Sequence, residues 1–301
     1  MTDTEFAWML VGVGALLTAA FITNNISRKF GVPSLLLYLA LGFFFGNGGD
    51  GGFVFDNPDL VERCAEMSLG LILFKGGYEF RHGLWKRPRV LLEGFSLALI
   101  GTLLTALVTA AATHFILGWN WLEAMLMGAV LSSTDAAAVF SVFQTSGIQS
   151  TDDTMEVLEL ESSTNDPLAY GLVVGLIAAN LHPPLDVGLL FGTVLKGLVL
   201  GLLVGAFIGV VMLVLTRVIK YSSGRGEILT LAVLTSALGL AELTGANPLI
   251  TAFAAGVVLS TRRKVPGEFW GPLVSLSEVV LFLLLGLQVF PDTLYDYIHE
   301  A

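Results

Sequence analysis

The feature that most constrains this chain is a succession of apolar runs, each near the length of a membrane crossing, joined by short polar connections. A helix needs about 20 residues to cross about 30 Å of hydrocarbon, and shorter runs serve where a helix is broken or sheltered by protein. About ten runs are present, at roughly 6–25, 33–47, 61–80, 89–117, 121–144, 155–180, 187–217, 227–243, 247–260 and 270–290. Hydrophobic residues make up 54% of the chain and charged residues 13%, and no hydrophilic stretch is long enough to fold separately. The expected fold class is an all-α polytopic membrane protein, with 1–301 as a single transmembrane domain.

The connections set the orientation, because Lys and Arg accumulate in cytoplasmic loops. Twelve of the fifteen basic residues fall in alternate loops: Arg28 and Lys29; Arg81, Lys86, Arg87 and Arg89; Arg217, Lys220 and Arg225; Arg262, Arg263 and Lys264. The pattern places the N-terminus outside and, with ten spans, residue 301 outside as well. The first run follows only Asp3 and Glu5, with neither a basic leader nor a small-residue cleavage site, so it reads as a retained helix. A net charge of −10 argues against nucleic acid, which demands a basic face. The lone Cys64 leaves no disulfide framework or Cys-based zinc site. His82, His114, His182 and His299 are scattered over different segments, so neither a redox metal nor a cofactor is implied.

Against this background, Glu161-Ser162-Ser163-Thr164-Asn165-Asp166-Pro167 sets two carboxylates, an amide and three hydroxyls inside an apolar stretch. An ionisable group at bilayer depth costs about 2.5 to 3.5 kcal/mol on insertion scales, so such groups mark ion or proton pathways. Asp166 is the first candidate for a transport site. The fifth run carries a second carboxylate in Ser132-Ser133-Thr134-Asp135-Ala136. Ser, Thr and Asp compete with the backbone for hydrogen bonds, so a discontinuous helix is expected near 132–136. Asp135 would neutralise the positive end of the half-helix that follows. Pro167 has no N–H and so deprives the Ser163 carbonyl of its helical donor. Pro248, after Asn247, does the same for Thr244, where a simple helix start is the expectation.

One connection breaks the charge rule, carrying Asp152, Asp153 and Glu156 without a base. Glu159, then Ser162 or Ser163, then Asp166 lie three, four and seven residues apart, one helical face leading inward from that loop. A negative cytoplasmic funnel ending at Asp166 is expected, concentrating cations by its field. A hard monovalent cation prefers carboxylate, hydroxyl and carbonyl oxygens, which are what this region offers. Desolvation disfavours the bare charged carboxylate, so proton and cation compete for Asp166. That competition suffices for obligatory exchange if the site faces each side in turn.

The stretch from Ser133 to Ser141, followed by the stretch from Leu158 to Pro167, resembles the NhaP-type antiporters of the monovalent cation:proton antiporter-1 family, closest to the bacterial potassium:proton members. The resemblance covers nearly the whole chain and includes the run from Phe282 to Leu287. It implies that Asp166 binds cation and proton in turn, that Thr134 and Asp135 mark an unwound crossing helix, and that Asn165 is the asparagine of an Asn-Asp pair. Asn rather than Asp at that position implies electroneutral exchange of K+ or Na+ for H+. A homodimer in the lipid bilayer of a bacterial inner membrane is implied, with a core that moves like an elevator. It also implies a Gly-Leu-Arg-Gly segment whose Arg would pair with Glu161, on later helices of an inverted repeat. None follows residue 290, so a truncated product or fragment is expected. Lys75 stands where the family suggests an acid and is expected to snorkel or to pair with Glu79.

The alternatives are a cation channel or symporter on the same spans, which the Asn-Asp pair disfavours, and a non-transporting fragment that needs a partner. An enzyme is disfavoured, because no nucleophile elbow, His-Glu-x-x-His or phosphate-binding Gly-Lys-Ser/Thr loop occurs. Gly197, Gly201, Gly205 and Gly209 recur every four residues and read as a helix-packing stripe, with a dimer interface as one location for it.

Overall fold

Among the described residues of this computed structural model, proline, glycine and capping residues cut the apolar runs into ten bounded α-helices, with no strand. The structure describes residues 3–30, 33–46, 56–79, 87–134, 139, 151–180, 187–218, 225–261 and 269–290. The helices are α1 (Asp3–Phe30), α2 (Ser34–Phe45), α3 (Pro58–Glu79), α4 (Pro88–Leu117), α5 (Trp121–Leu131), α6 (Asp152–Asn180), α7 (Val187–Val218), α8 (Arg225–Thr244), α9 (Pro248–Ser260) and α10 (Trp270–Leu287). Their ends follow local chemistry. Pro88 opens α4, where a missing N–H costs nothing, and Gly118 closes it in the left-handed conformation at φ 74°. The Asn120 side chain then accepts from the Glu123 N–H at 3.0 Å to cap α5.

Four helices are long and apolar enough to cross a membrane unaided: Pro88–Leu117, Gly188–Val218, Gly226–Thr244 and Trp270–Leu287. The apolar parts of the others are shorter. At 1.5 Å per residue, the 13 residues of α9 reach only about 20 Å. Its sides are largely buried in protein. By contrast, Leu99, Ile100, Leu103, Leu104 and Leu107 on α4 and Leu195, Leu202, Leu203 and Phe207 on α7 are exposed. Such continuous apolar faces suit hydrocarbon, not water.

The chain divides into two compact units, residues 1–69 with 272–301 and residues 70–271. In the first, α1 packs on α2, and α2 meets α10 at Gly42 and Gly286. A Cβ at either glycine would overlap a backbone carbonyl of the other helix, so only glycine permits this approach. In the second, α4, α5 and α6 pack on one another, α6 packs on α7, and α7, α8 and α9 form a layer.

The glycine stripe of α7 lies inside this unit and faces α9. A Cβ at Gly201 would stand 2.9 Å from the Asn247 carbonyl oxygen, one at Gly205 2.5 Å from that of Thr251, and one at Gly209 2.6 Å from Val258 Cβ. The packing role expected of the stripe is therefore met within the chain, and the dimer-interface location is corrected. The reason is the shortness of α9, which has to bury its faces against a neighbour's backbone. The fifth run breaks where a discontinuous helix is expected: α5 ends at Leu131, and Ser132 folds back with its hydroxyl on the Ala129 carbonyl at 2.7 Å.

Candidate functional site

The end of α5 meets the middle of α6. Ser133 and Thr134 leave the helix in the non-helical segment after Leu131, while α6 runs unbroken through Pro167. The expected discontinuity is present at its first residues; Asp135 lies outside the described residues.

Three polar side chains close a ring there. The Asn165 amide donates to the Thr134 hydroxyl and, at 2.9 Å, to Glu161 Oε1. The Thr134 hydroxyl donates to the Glu161 carboxylate, with oxygens at 3.1 and 3.2 Å. Glu161 and Asn165 are one turn apart on the same face of α6, so the ring needs only one residue from α5. Ser162 Oγ adds a fourth tie, donating to the Thr134 carbonyl at 2.9 Å. Asn165 is fully buried, and its Oδ1 has no hydrogen-bond partner among the described residues.

Asp166, the next residue, is half-buried and faces the other part of the break, where Ser133 Oγ donates to its Oδ1. The two carboxylates of the run are thus divided. Glu161 is held in the ring, and Asp166 is joined to the helix break by a hydroxyl that has lone pairs to spare. Of the other expected residues, Ser163 donates to the Glu159 carbonyl at 2.7 Å and lies beside Gly76 of α3, so its hydroxyl is engaged within its own helix. Glu159 itself is exposed on α6. Pro167 is buried, and its carbonyl accepts from Asn247 Nδ2 at 3.1 Å.

The acidic approach differs from the expected funnel. Arg87, before α4, donates to Asp153 at 2.7 Å and to buried Glu156 at 2.9 Å. The connection itself carries no base, but the starts of α4 and α6 lie at the same end, so Arg87 from another connection partly neutralises Asp153 and Glu156. The side chain of Asp152 lies outside the described residues. Lys75 pairs with Glu79 at 3.4 Å, as its spacing suggests.

The residues that sequence reasoning passed over are Ser133, Arg87 and Asn247. Ser133 was signalled by its place beside Thr134 in a polar cluster that interrupts a helix. The other two carry no local signal, since their partners lie 66 to 80 residues away. Asp166 meets the Ser133 hydroxyl, and the neighbouring ring offers the Glu161 carboxylate and the Thr134 hydroxyl and carbonyl; no group of three His, Cys, Asp or Glu able to hold a metal ion occurs among the described residues. Such a set suits a singly charged hard cation.

The chain is 33% identical over 296 residues to the K(+)/H(+) antiporter NhaP of Alkalimonas amylolytica, covering 96% of this chain and 51% of that protein. It is 30% identical over 301 residues to the K(+)/H(+) antiporter NhaP2 of Shewanella sp. (strain ANA-3), covering 94% and 50%. It is 28% identical over 296 residues to the Na(+)/H(+) antiporter of Enterococcus hirae, covering 91% and 71%. The chain therefore spans about half the length of the first two relatives. In fold it is similar to the sodium proton antiporter MjNhaP1 of Methanocaldococcus jannaschii, with a TM-score of 0.80 at 20% identity over 99% of this chain and 76% of that one. Residues 15–300, which hold both the helix break and the Asn165-Asp166 pair, match the model of the transmembrane sodium/hydrogen exchanger, and the chain belongs to that family.

Proposed function

We propose that this protein exchanges K+ or Na+ for H+ across a bacterial inner membrane, electroneutrally, with Asp166 taking up proton and cation in turn. The observation that carries the reading is the hydrogen bond from Ser133 to Asp166 at the end of α5. It joins a carboxylate in mid-helix to a break in a neighbouring helix, where freed carbonyls and hydroxyls are available to an ion. A cation arriving at Asp166 competes with the proton for the same oxygens, and neither can be added without releasing the other if the empty charged site does not cross. Glu161 has a different part in this reading. With donors from Thr134 and Asn165 it anchors α5 to α6 and does not itself carry the ion.

The antiporter relatives support exchange over a channel or symporter, and over an enzyme. In this reading the ten helices make one exchanger domain in the bilayer, the N-terminus lies outside, and two copies associate. Glu159, Glu156, Asp153 and Asp152 line the cytoplasmic approach, with Arg87 setting how negative it is.

The test is cation-dependent proton movement in everted vesicles. Asp166→Asn is expected to abolish it while leaving the amount of protein in the membrane unchanged. Exchange that persists undiminished in this variant would overturn the assignment.

A further inference from the structure

Asn247 sits at the start of α9 and makes more hydrogen bonds than its position requires. Its Oδ1 accepts from the N–H groups of Leu249 at 2.9 Å and Ile250 at 3.1 Å. That is ordinary capping, for which Ser, Thr or Asp would serve as well, because a cap needs only an oxygen. The amide nitrogen is a separate matter. It donates at 3.1 Å to the carbonyl of Pro167, on another helix and 80 residues away. The backbone N–H of Asn247 donates to the Gly197 carbonyl of α7 at 3.0 Å, and its own carbonyl accepts from the Thr251 N–H at 3.0 Å and hydroxyl at 2.9 Å. The residue is buried and fixed on every side.

The far end of that amide bond is the turn that carries Asp166. Pro167 gives α6 no backbone donor, so the helix is short of one hydrogen bond where the carboxylate is displayed. Lateral restraint there comes from two directions. Ser133 holds the carboxylate from the end of α5, and Asn247 holds the next residue's carbonyl from the end of α9. Resting on the reading of Asp166 as the exchange site, we propose that Asn247 is a positioning residue for that site, setting the distance between the Asp166 carboxylate and the α5 break through the Pro167 carbonyl. Asparagine suits this position because its amide separates the two tasks, the oxygen capping α9 while the nitrogen, on a different atom, reaches the Pro167 carbonyl.

The experiment separates the donor from the cap. Asn247→Ser and Asn247→Thr keep a capping hydroxyl but are too short to reach Pro167. The protein is reconstituted in lipid, and infrared difference spectra are recorded as KCl or NaCl replaces choline chloride at fixed pH. The readouts are the half-saturating concentration of the carboxylate change that Asp166→Asn removes, and the melting temperature. We expect half-saturation to rise about threefold or more in both variants while a cooperative melting transition is kept, at a somewhat lower temperature because the buried Pro167 carbonyl loses its donor. Unmoved half-saturation in both variants would overturn the proposal. So would variants that lose the carboxylate change only together with their fold, since Asn247 would then be structural alone. If Asp166→Asn leaves the cation-induced carboxylate change in place, the reading of Asp166 fails instead, and the two failures remain distinct.

Discussion

Thr134 has one hydroxyl, and three things depend on it: a donor for Glu161, an acceptor for Asn165 and a fixed end for α5. Replacing it with Val keeps the shape and removes the hydroxyl, which strips a bond from buried Asn165 and from half-buried Glu161. Leaving such groups unsatisfied costs about 1 to 3 kcal/mol, so Thr134→Val is expected to lower the melting temperature markedly. Thr134→Ser should not, and equal melting of the two would contradict the ring's role. Arg87 poses a graded question. Its side chain is 47% exposed, whereas Glu156 is 8% exposed, so the pair lies between a surface bridge and a buried one. A double-mutant cycle with Arg87→Met and Glu156→Gln is expected to show coupling of about 1 to 2 kcal/mol. The arm to Asp153, itself 66% exposed, should contribute little at high salt.

Among the elements, α7 offers an internal contrast. Gly205 lies against the Thr251 carbonyl, while Gly192, on the same helix, has nothing within 4 Å of where a Cβ would stand. Gly205→Ala is expected to destabilise by about 1 to 3 kcal/mol through overpacking, and Gly192→Ala to stabilise by about 0.5 to 1 kcal/mol through helix propensity. Thermal unfolding of the two variants checks both signs. This stripe also shows how far a sequence can be read. Its four-residue spacing announced that something packs there, but the partner was set by α9, whose shortness matters only once it has to be sheltered. Helix limits were legible for a similar reason: Pro88, Pro248, Gly118 and Gly245 are local signals, and α3 and α8 fall within a few residues of the runs at 61–80 and 227–243. The polar run from Glu161 to Asp166 was legible in the sequence, but the bond from Asn165 to Glu161 was not read from its four-residue spacing. The tie to Thr134, the Arg87 clamp and the Asn247 bond were not legible either, because hydropathy and periodicity carry no information about which distant turn a side chain will meet.

For the whole molecule, the distribution of Lys and Arg makes a claim about sides. The connection between α4 and α5 should face outward, and the start of α6 should face the cytoplasm. In a Cys64→Ser background, Trp119→Cys is expected to react with a membrane-impermeant maleimide added to intact cells, and Thr151→Cys only after the membrane is opened. The reverse result would invert the orientation. The close approach of α7 and α9 bears on motion at this scale too. Close backbone contact from Gly201 to Gly209 opposes sliding of α7 along α9, so the pair is expected to turn as one stiff rod. Asn247 grips that rod near Gly197, and Val218 lies 21 residues further along, about 31 Å by helical rise. A tilt of about 5° at the grip would carry Val218 through about 3 Å. The far end of α7 is therefore a lever arm, and a probe attached there would register small rearrangements beside Asp166 as displacements several times larger.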